Sequence, residues 1–174
     1  MSDARKLKRE QRRERIRENW ESRHDEIVTG DVTLAEILGY DDARLMKLAA
    51  KGNRLFKVGK WAAAAKVFRG LVVLDPMVPY FHYLLGSAQE KQGNLDRARR
   101  EYATTLDLTS GIEPPPDLVA FARLSLGRVL ARLEQVREAI EMLRPVASGA
   151  IASSDPAIPA AALLILQHLE APPA

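Results

Sequence analysis

The sequence contains no cysteine among its 174 residues. This absence excludes disulfide bonds and thiolate metal sites, and it fits a reducing compartment. A chain of this length can bury roughly 70% of the surface that its unfolded form exposes, so one domain needs no covalent or metal staple. The sequence therefore predicts a single domain stabilised by its own packing.

Long hydrophobic runs are absent as well. No stretch approaches the roughly 18 consecutive apolar residues that a membrane-spanning helix needs. The first residues, Met1 to Lys6, are not followed by the apolar segment typical of a secretory signal. We therefore expect a cytoplasmic protein.

Aromatic residues are scarce, at 6% of the chain, and this composition disfavours β-strands. Ala, Leu, Arg and Glu are common, which favours helices. The net charge of +3 is unevenly distributed, since residues 1–17 carry eight Lys or Arg and three Asp or Glu. The basic character thus belongs to an N-terminal arm and not to the body of the protein.

A repeat of 34 residues runs through the middle of the chain. Four positions recur at this spacing, namely Gly52 and Gly86, Gly59 and Gly93, Ala64 and Ala98, and Phe68 and Tyr102. A third copy follows after 41 residues, with Gly127, Ala139 and Leu143. The added residues fall between Thr109 and Asp117, where three consecutive prolines predict a loop. This spacing is that of tetratricopeptide repeats.

The pattern predicts an all-α fold, a right-handed superhelix of three helix pairs. We expect small residues such as Gly52 and Ala64 to let the helices of a pair approach closely, and Phe68, Tyr102 and Leu143 to fill the space between successive pairs. Asp42 and Asp117 are candidate N-caps. The predicted helices span residues 43–58 and 61–74, 79–92 and 95–108, 118–133 and 136–148, with a capping helix at 157–169. The predicted repeats are 45–78, 79–112 and 120–153 within a domain of residues 43–170.

Two segments precede the repeats. Residues 1–27 read as a basic helical arm, a single helix over 4–27 with a narrow apolar stripe formed by Ile16, Trp20 and Ile27. Residues 28–42 form a lead-in, in which Thr33 and Glu36 make a capping box for a short helix. In the capping helix, Ile158, Leu163, Leu164, Ile165, Leu166 and Leu169 are expected to close the end of the stack.

Four segments carry a more specific pattern, namely the lead-in Gly30–Leu34, the run Gly59–Asp75, and Phe81–Gln89 and Gly93–Ala98 of the second repeat. They give residues 27 to about 110 a resemblance to the class II chaperones of bacterial type III secretion, which guard translocator proteins before export. It implies three repeats, dimerisation through N-terminal helices, and a groove that holds a proline- and leucine-containing segment of the translocator. The third repeat and the basic arm depart from the family pattern.

The first helices of stacked pairs line a concave groove, and fixed repeat positions face it. The predicted partner-binding residues are Met46, Ala49, Asn53, Phe56, Lys57, Tyr80, Tyr83, Ser87, Glu90, Lys91, Phe121, Leu124, Arg128 and Arg132. Such a mixture of apolar anchors and basic residues suits an extended peptide. Lys57, Lys91 and Arg132 share one repeat position and suggest a basic ladder, although lysine is common there. A clamp for a C-terminal carboxylate is not expected, because Ala49 and Leu84 stand where it needs donors.

No catalytic constellation is apparent, and the sequence does not predict an enzyme. The histidines, His24, His82 and His168, do not have metal-ligand spacing, and His82 is interpreted as a packing residue. No cofactor is predicted.

The basic arm has three interpretations. We rank a dimer or partner contact first and a solvated helix second. Nucleic acid or an anionic membrane surface comes third, because an acidic stripe dilutes the positive field. The basic residues concerned are Arg5, Lys6, Lys8, Arg9, Arg12, Arg13, Arg15 and Arg17.

The function predicted from the sequence is a protein-binding chaperone or adaptor of a type III secretion-like kind. The alternatives are a scaffold subunit of another bacterial complex and, behind it, a nucleic-acid-associated adaptor that uses the arm.

Overall fold

The computed structural model describes residues 3–111, 113–114 and 117–171. Within these ranges every regular element is a helix, as predicted. The helices are α1 (Asp3–Ser22), α2 (His24–Thr29), α3 (Leu34–Ile37), α4 (Asp42–Lys57), α5 (Trp61–Leu74), α6 (Pro79–Lys91), α7 (Leu95–Thr109), α8 (Leu118–Arg132), α9 (Val136–Ala147) and α10 (Ala157–Glu170). Two of the three prolines in the predicted 109–117 loop, Pro115 and Pro116, lie outside the described residues.

Three antiparallel pairs, α4–α5, α6–α7 and α8–α9, stack in chain order, and each packs against the next. The helix bounds agree with those predicted to within two residues. The capping helix α10 packs on α8 and α9 through Ile158, Ala162 and Leu166. Leu163 and Leu164 do not take part, because they point to solvent. The prediction that all its apolar residues close the stack is therefore wrong for these two leucines.

In each pair, a glycine on the first helix lets a large side chain of the second helix pack directly against its backbone. A Cβ on Gly52 would lie 2.3 Å from the Phe68 ring, one on Gly86 2.8 Å from Tyr102, and one on Gly127 2.5 Å from Leu143. The close approach predicted at these glycines is confirmed. The large residues fill the space within their own pair, and they also belong to core clusters that reach the next helix of the stack, α6 for Phe68, α8 for Tyr102 and α10 for Leu143.

Two predicted N-caps need correction. Asp41, and not Asp42, caps α4, since its carboxylate accepts a hydrogen bond from the Arg44 amide at 2.8 Å. Asp117 stands at the N-cap position of α8, but its left-handed backbone turns the side chain away from the helix. Its carboxylate accepts hydrogen bonds from the amide and hydroxyl of Ser154 instead. This contact ties the loop before α8 to the loop before α10.

The predicted helix over residues 4–27 is two helices, α1 and α2, separated at Arg23. The Ser22 hydroxyl donates to the Asn19 carbonyl oxygen at 3.3 Å, the kind of local bond that competes with helix continuation. Ile16 is half-buried and Trp20 is 45% exposed, so the expected apolar stripe docks only weakly. The side chain of Ile27, its third member, lies outside the described part of the chain.

The arm is held to the body by polar contacts. Asn19 donates its side-chain amide to the Ile37 carbonyl oxygen at 3.2 Å. The predicted capping box of α3 is present, with Thr33 and Glu36 bonded reciprocally. α3 in turn packs on α5 and buries Ala35 and Ile37.

Candidate functional site

A cavity opens in the groove between the first helices of the three pairs. It has a volume of about 240 Å³. Its wall is supplied by Asn53 and Phe56 of α4, Tyr83, Leu84, Ser87, Glu90 and Lys91 of α6, and Ser125 and Arg128 of α8, with Phe68 and Tyr102 from the second helices. All three pairs therefore contribute to one concave site, and the stacking of the pairs creates it.

The floor of this cavity is a polar network around Glu90. Arg128 donates to the Glu90 carboxylate twice, from Nε at 2.7 Å and from a terminal nitrogen at 3.0 Å. Tyr102 donates its hydroxyl to the same carboxylate at 2.9 Å, and Arg132 lies 3.9 Å away. The Glu90 side chain is almost fully buried, whereas Arg128 keeps part of its guanidinium in solvent. The network locks α6 to α7 and α8 at the middle of the groove.

The protonation states in the network follow from these contacts. Burial alone would raise the pKa of Glu90, but the hydrogen bonds and positive charge of Arg128 outweigh it and lower the pKa below 4.5. The bond to Glu90 raises the pKa of Arg128. Burial, with the charge of Glu90 beside it, raises the pKa of Tyr102, which stays a neutral hydrogen-bond donor. The floor thus presents a neutralised ion pair and not a bare carboxylate.

Aromatic rings surround the polar floor. The Tyr83 ring centroid lies 5.8 Å from that of Tyr102 and 6.3 Å from that of Phe121. Asn53 donates to the Tyr80 hydroxyl at 3.4 Å, which joins the first two pairs at the groove edge. The side chains of Tyr83 and Phe56 are only partly buried, so they keep surface available for a ligand.

The structure brings together seven of the fourteen residues predicted to bind a partner. These are Asn53, Phe56, Tyr83, Ser87, Glu90, Lys91 and Arg128. Five others, Met46, Lys57, Tyr80, Phe121 and Arg132, lie outside the cavity wall but keep exposed surface. The prediction that Ala49 and Leu124 contact a partner needs correction, since both side chains are buried in the core clusters of the pairs.

Sequence reasoning missed four wall residues, namely Phe68, Leu84, Tyr102 and Ser125. Phe68 and Tyr102 belong to second helices, which were assigned to packing alone. The signal was available, because both stand opposite the glycine of their own pair, and a ring at that position reaches through to the groove side. Leu84 was considered only as an obstacle to a carboxylate clamp.

His82 is a packing residue with a polar role. Its Nδ1 lies 2.8 Å from a Glu101 carboxylate oxygen and its Nε2 lies 3.0 Å from the Pro76 carbonyl oxygen. Both partners are acceptors, so an imidazolium satisfies the two contacts and a neutral ring satisfies one. Burial lowers the pKa of His82, but these hydrogen bonds outweigh it and raise the pKa above 6.5.

The basic arm residues lie on two sides of α1. Arg13 and Arg17 lie among Glu10 and Glu14, and Arg17 pairs with Glu14 at 3.6 Å and with Glu21 at 3.9 Å. Lys8, Arg12 and Arg15 face Arg44 of α4 instead. Arg5, Lys6 and Arg9 are exposed.

Across the residues that the structure describes, no group of three or more acidic or histidine side chains is arranged to hold a metal ion. The same residues include no helix with the length and hydropathy of a membrane span.

Comparison with known proteins decides the fold. A sequence model of the tetratricopeptide repeat matches residues 49–111, which run from the middle of α4 to the end of α7. The fold is that of a tetratricopeptide-repeat protein. No protein of curated function matches the sequence.

Solved structures extend this likeness beyond the matched repeats. A type III secretion complex from Aeromonas hydrophila superposes with a TM-score of 0.72 at 22% identity, over 84% of this chain and 93% of that one. The Yersinia enterocolitica type III secretion translocator chaperone SycD superposes with a TM-score of 0.66 at 19% identity, over 79% and 98%. Pseudomonas aeruginosa PcrH, in complex with the chaperone binding region of PopD, gives 0.65 at 21% identity, over 75% and 94%. The resemblance noted in the sequence to translocator chaperones is confirmed at the level of the fold.

Proposed function

We propose that this protein is a non-catalytic chaperone or adaptor that holds an extended segment of a partner protein in its concave groove. The observation that carries the proposal is the cavity of about 240 Å³ at the centre of the groove, to which all three helix pairs contribute. Its volume suits one or two side chains and not a folded domain. A segment bound there continues along the groove in both directions.

The chemistry of the wall supports an extended peptide as the ligand. Partly buried rings at Phe56 and Tyr83 offer large contact area with few rotatable bonds, so little conformational entropy is lost on binding. Polar groups beside them, the Ser125 hydroxyl and the solvent-facing part of the Arg128 guanidinium, can bond a peptide backbone. Apolar anchors give affinity and the polar groups fix orientation.

The solved structures with the same fold support a more specific assignment. Two of them are described as type III secretion components, and PcrH is seen with the chaperone binding region of PopD. We extend this role to the present chain as a translocator-type chaperone acting in the cytoplasm. The N-terminal arm is proposed to form a homodimer or partner contact.

The groove is tested with Phe56→Ala and Tyr83→Ala. The native partner is first identified by co-purification from the host, and its affinity is then measured by calorimetry with the full-length protein. Each variant should weaken binding by at least about 1 kcal/mol, because a few such anchors carry most of the energy of an interface. The thermal midpoint should change less than the affinity, since neither ring is fully buried.

The control is Arg69→Ala, which removes an exposed side chain of α5 that lies outside the cavity wall. It should bind like wild type. If both groove variants bind like wild type while the control or removal of the arm abolishes binding, the groove is not the site, and the proposed chaperone role loses its physical basis.

A further inference from the structure

A second concave surface lies at the junction of the arm and the body and shares no residue with the groove cavity. It is a recess of about 360 Å³ lined by Lys8, Gln11, Arg12 and Arg15 of α1 and by Arg44 of α4. Four of these five residues are cationic, the fifth is an uncharged glutamine, and none of the five is acidic. We call this surface the basic recess.

Two of the four cations of the basic recess, Arg12 and Arg44, are positioned by contacts with Tyr40 and Gly39. The guanidinium carbon of Arg12 lies 5.8 Å from the Tyr40 ring centroid and that of Arg44 lies 5.5 Å from it. Arg12 also contacts the Tyr40 hydroxyl at 3.4 Å, and Arg44 donates to the Gly39 carbonyl oxygen at 2.9 Å. Arginine stacked on an aromatic ring keeps its outer N–H groups available for an anion.

The charge of the basic recess is not balanced within the described part of the chain. Its four cations make no ion pair there, in contrast to Arg17 on the other side of α1, which contacts Glu14 and Glu21. Glu10 and Glu14, the acidic residues of α1 nearest in sequence to its three cations, lie beside Arg13 and Arg17 instead. Near Arg44, the Asp41 carboxylate is engaged as the N-cap of α4. Four like charges converging on one recess repel one another, and a bound polyanion relieves that repulsion.

We propose that the basic recess docks an acidic segment of a partner protein, through carboxylates that pair with Lys8, Arg12, Arg15 and Arg44. Carboxylates match the fork geometry of the arginine side chain and form charge-assisted hydrogen bonds with it. A single nucleic-acid strand needs an exposed ring for base stacking, but two guanidinium groups already contact Tyr40. The acidic stripe of a second copy is a poorer occupant, because Arg17 already engages Glu14 and Glu21.

The test uses fluorescein-labelled hexaglutamate as the probe, titrated by fluorescence anisotropy into the full-length protein at low ionic strength. Hexaglutamine and hexathymidylate with the same label serve as neutral and nucleic-acid comparisons. The test variant, Lys8→Gln with Arg15→Gln, spares the contacts of Arg12 with Tyr40. The control, Arg13→Gln with Arg17→Gln, removes the same two charges from the other side of α1.

The test variant should weaken hexaglutamate binding roughly tenfold, the loss expected for one or two charge-assisted hydrogen bonds. The control should change it by less than about twofold, as for exposed ion pairs. Four results overturn the proposal. Hexaglutamate fails to bind more tightly than hexaglutamine, or the two double variants lose affinity equally. The third such result is that hexathymidylate binds more tightly than hexaglutamate. The fourth is that the protein sediments as a dimer, and that both the two test substitutions and added hexaglutamate dissociate it, because the recess would then bind a second copy.

Discussion

Replacing Gly52 with alanine tests whether the closure of each helix pair depends on a missing side chain. The added Cβ would lie 2.3 Å from Cε1 of Phe68 and 2.8 Å from its Cδ1, whereas ordinary van der Waals contacts lie at 3.4–4 Å. Phe68 is fully buried, so its ring cannot swing into solvent to make room. The ring must move by about 1 Å, or the two helices must separate.

The expected loss of stability is a difference between two effects. Overpacking a core costs roughly 1–3 kcal/mol, and the required shift places this site at the upper end. Alanine is favoured over glycine inside a helix by about 1 kcal/mol, which offsets part of the cost. We expect a net destabilisation of about 2 kcal/mol. For a domain of this size, that lowers the thermal midpoint by roughly 4–8 °C.

The assay is thermal and urea unfolding followed by circular dichroism. Gly70→Ala is the matched control, since Gly70 also lies within a helix, α5, but a Cβ there would meet nothing within 4 Å. It should gain about 1 kcal/mol from helix propensity alone. In a Phe68→Ala background, Gly52→Ala should no longer destabilise. If Gly52→Ala raises the midpoint as much as Gly70→Ala does, the steric reasoning is refuted.

Three further predictions concern polar contacts and the arm. The raised pKa of His82 means that its stabilising charge is complete below pH 6.5 and is lost as the pH rises through the folded-state pKa. Wild type should therefore have a higher thermal midpoint than His82→Asn at pH 6, and this difference should shrink as the pH rises to 9. A difference that stays constant with pH would contradict the ion pair with Glu101. Arg128→Met leaves the buried Glu90 carboxylate without its bidentate partner. It should cost roughly 2 kcal/mol, less than for a fully buried pair because Arg128 is partly exposed. Adding Glu90→Gln should restore much of that stability in urea unfolding, and a purely additive double variant would argue against the pairing. Deleting residues 1–22 should leave the helix pairs folded but change the sedimentation behaviour or the partner set, whereas loss of all helical signal would show that the arm is part of the core.

The sequence predicted the helices well because their signals are local. Residues 34 apart repeat the same glycine, alanine and aromatic positions, and proline and glycine mark the turns between helices. Gly59 and Gly93 adopt positive φ in the turns inside the first two pairs. Such turns read directly from the sequence, since glycine reaches that backbone region without steric cost.

The equivalent turn in the third pair could not be predicted from local sequence signals. Glu134, 41 residues after Gly93, adopts a φ of 61° without being glycine. Nothing in its residue type indicates this conformation, which the packing of α8 against α9 imposes. Likewise, Asp41 and Asp42 are equally good N-cap residues by type. The backbone path into α4 decides that the Asp41 side chain points towards the first turn of the helix.

The residues of the candidate site also fall into two groups, those predictable from one helix and those placed by contacts between helices. The sequence by itself determined that α4, α6 and α8 present a groove and that Phe56 and Tyr83 face it, because those positions follow from the helical period. Only the tertiary structure decided that Arg128 neutralises Glu90 across 38 residues of sequence and that Tyr102 reaches the groove floor from a second helix. It also decided that Arg12 and Arg44 meet at Tyr40. These pairings depend on how separate helices lie against one another, and no periodicity within one helix encodes that distance.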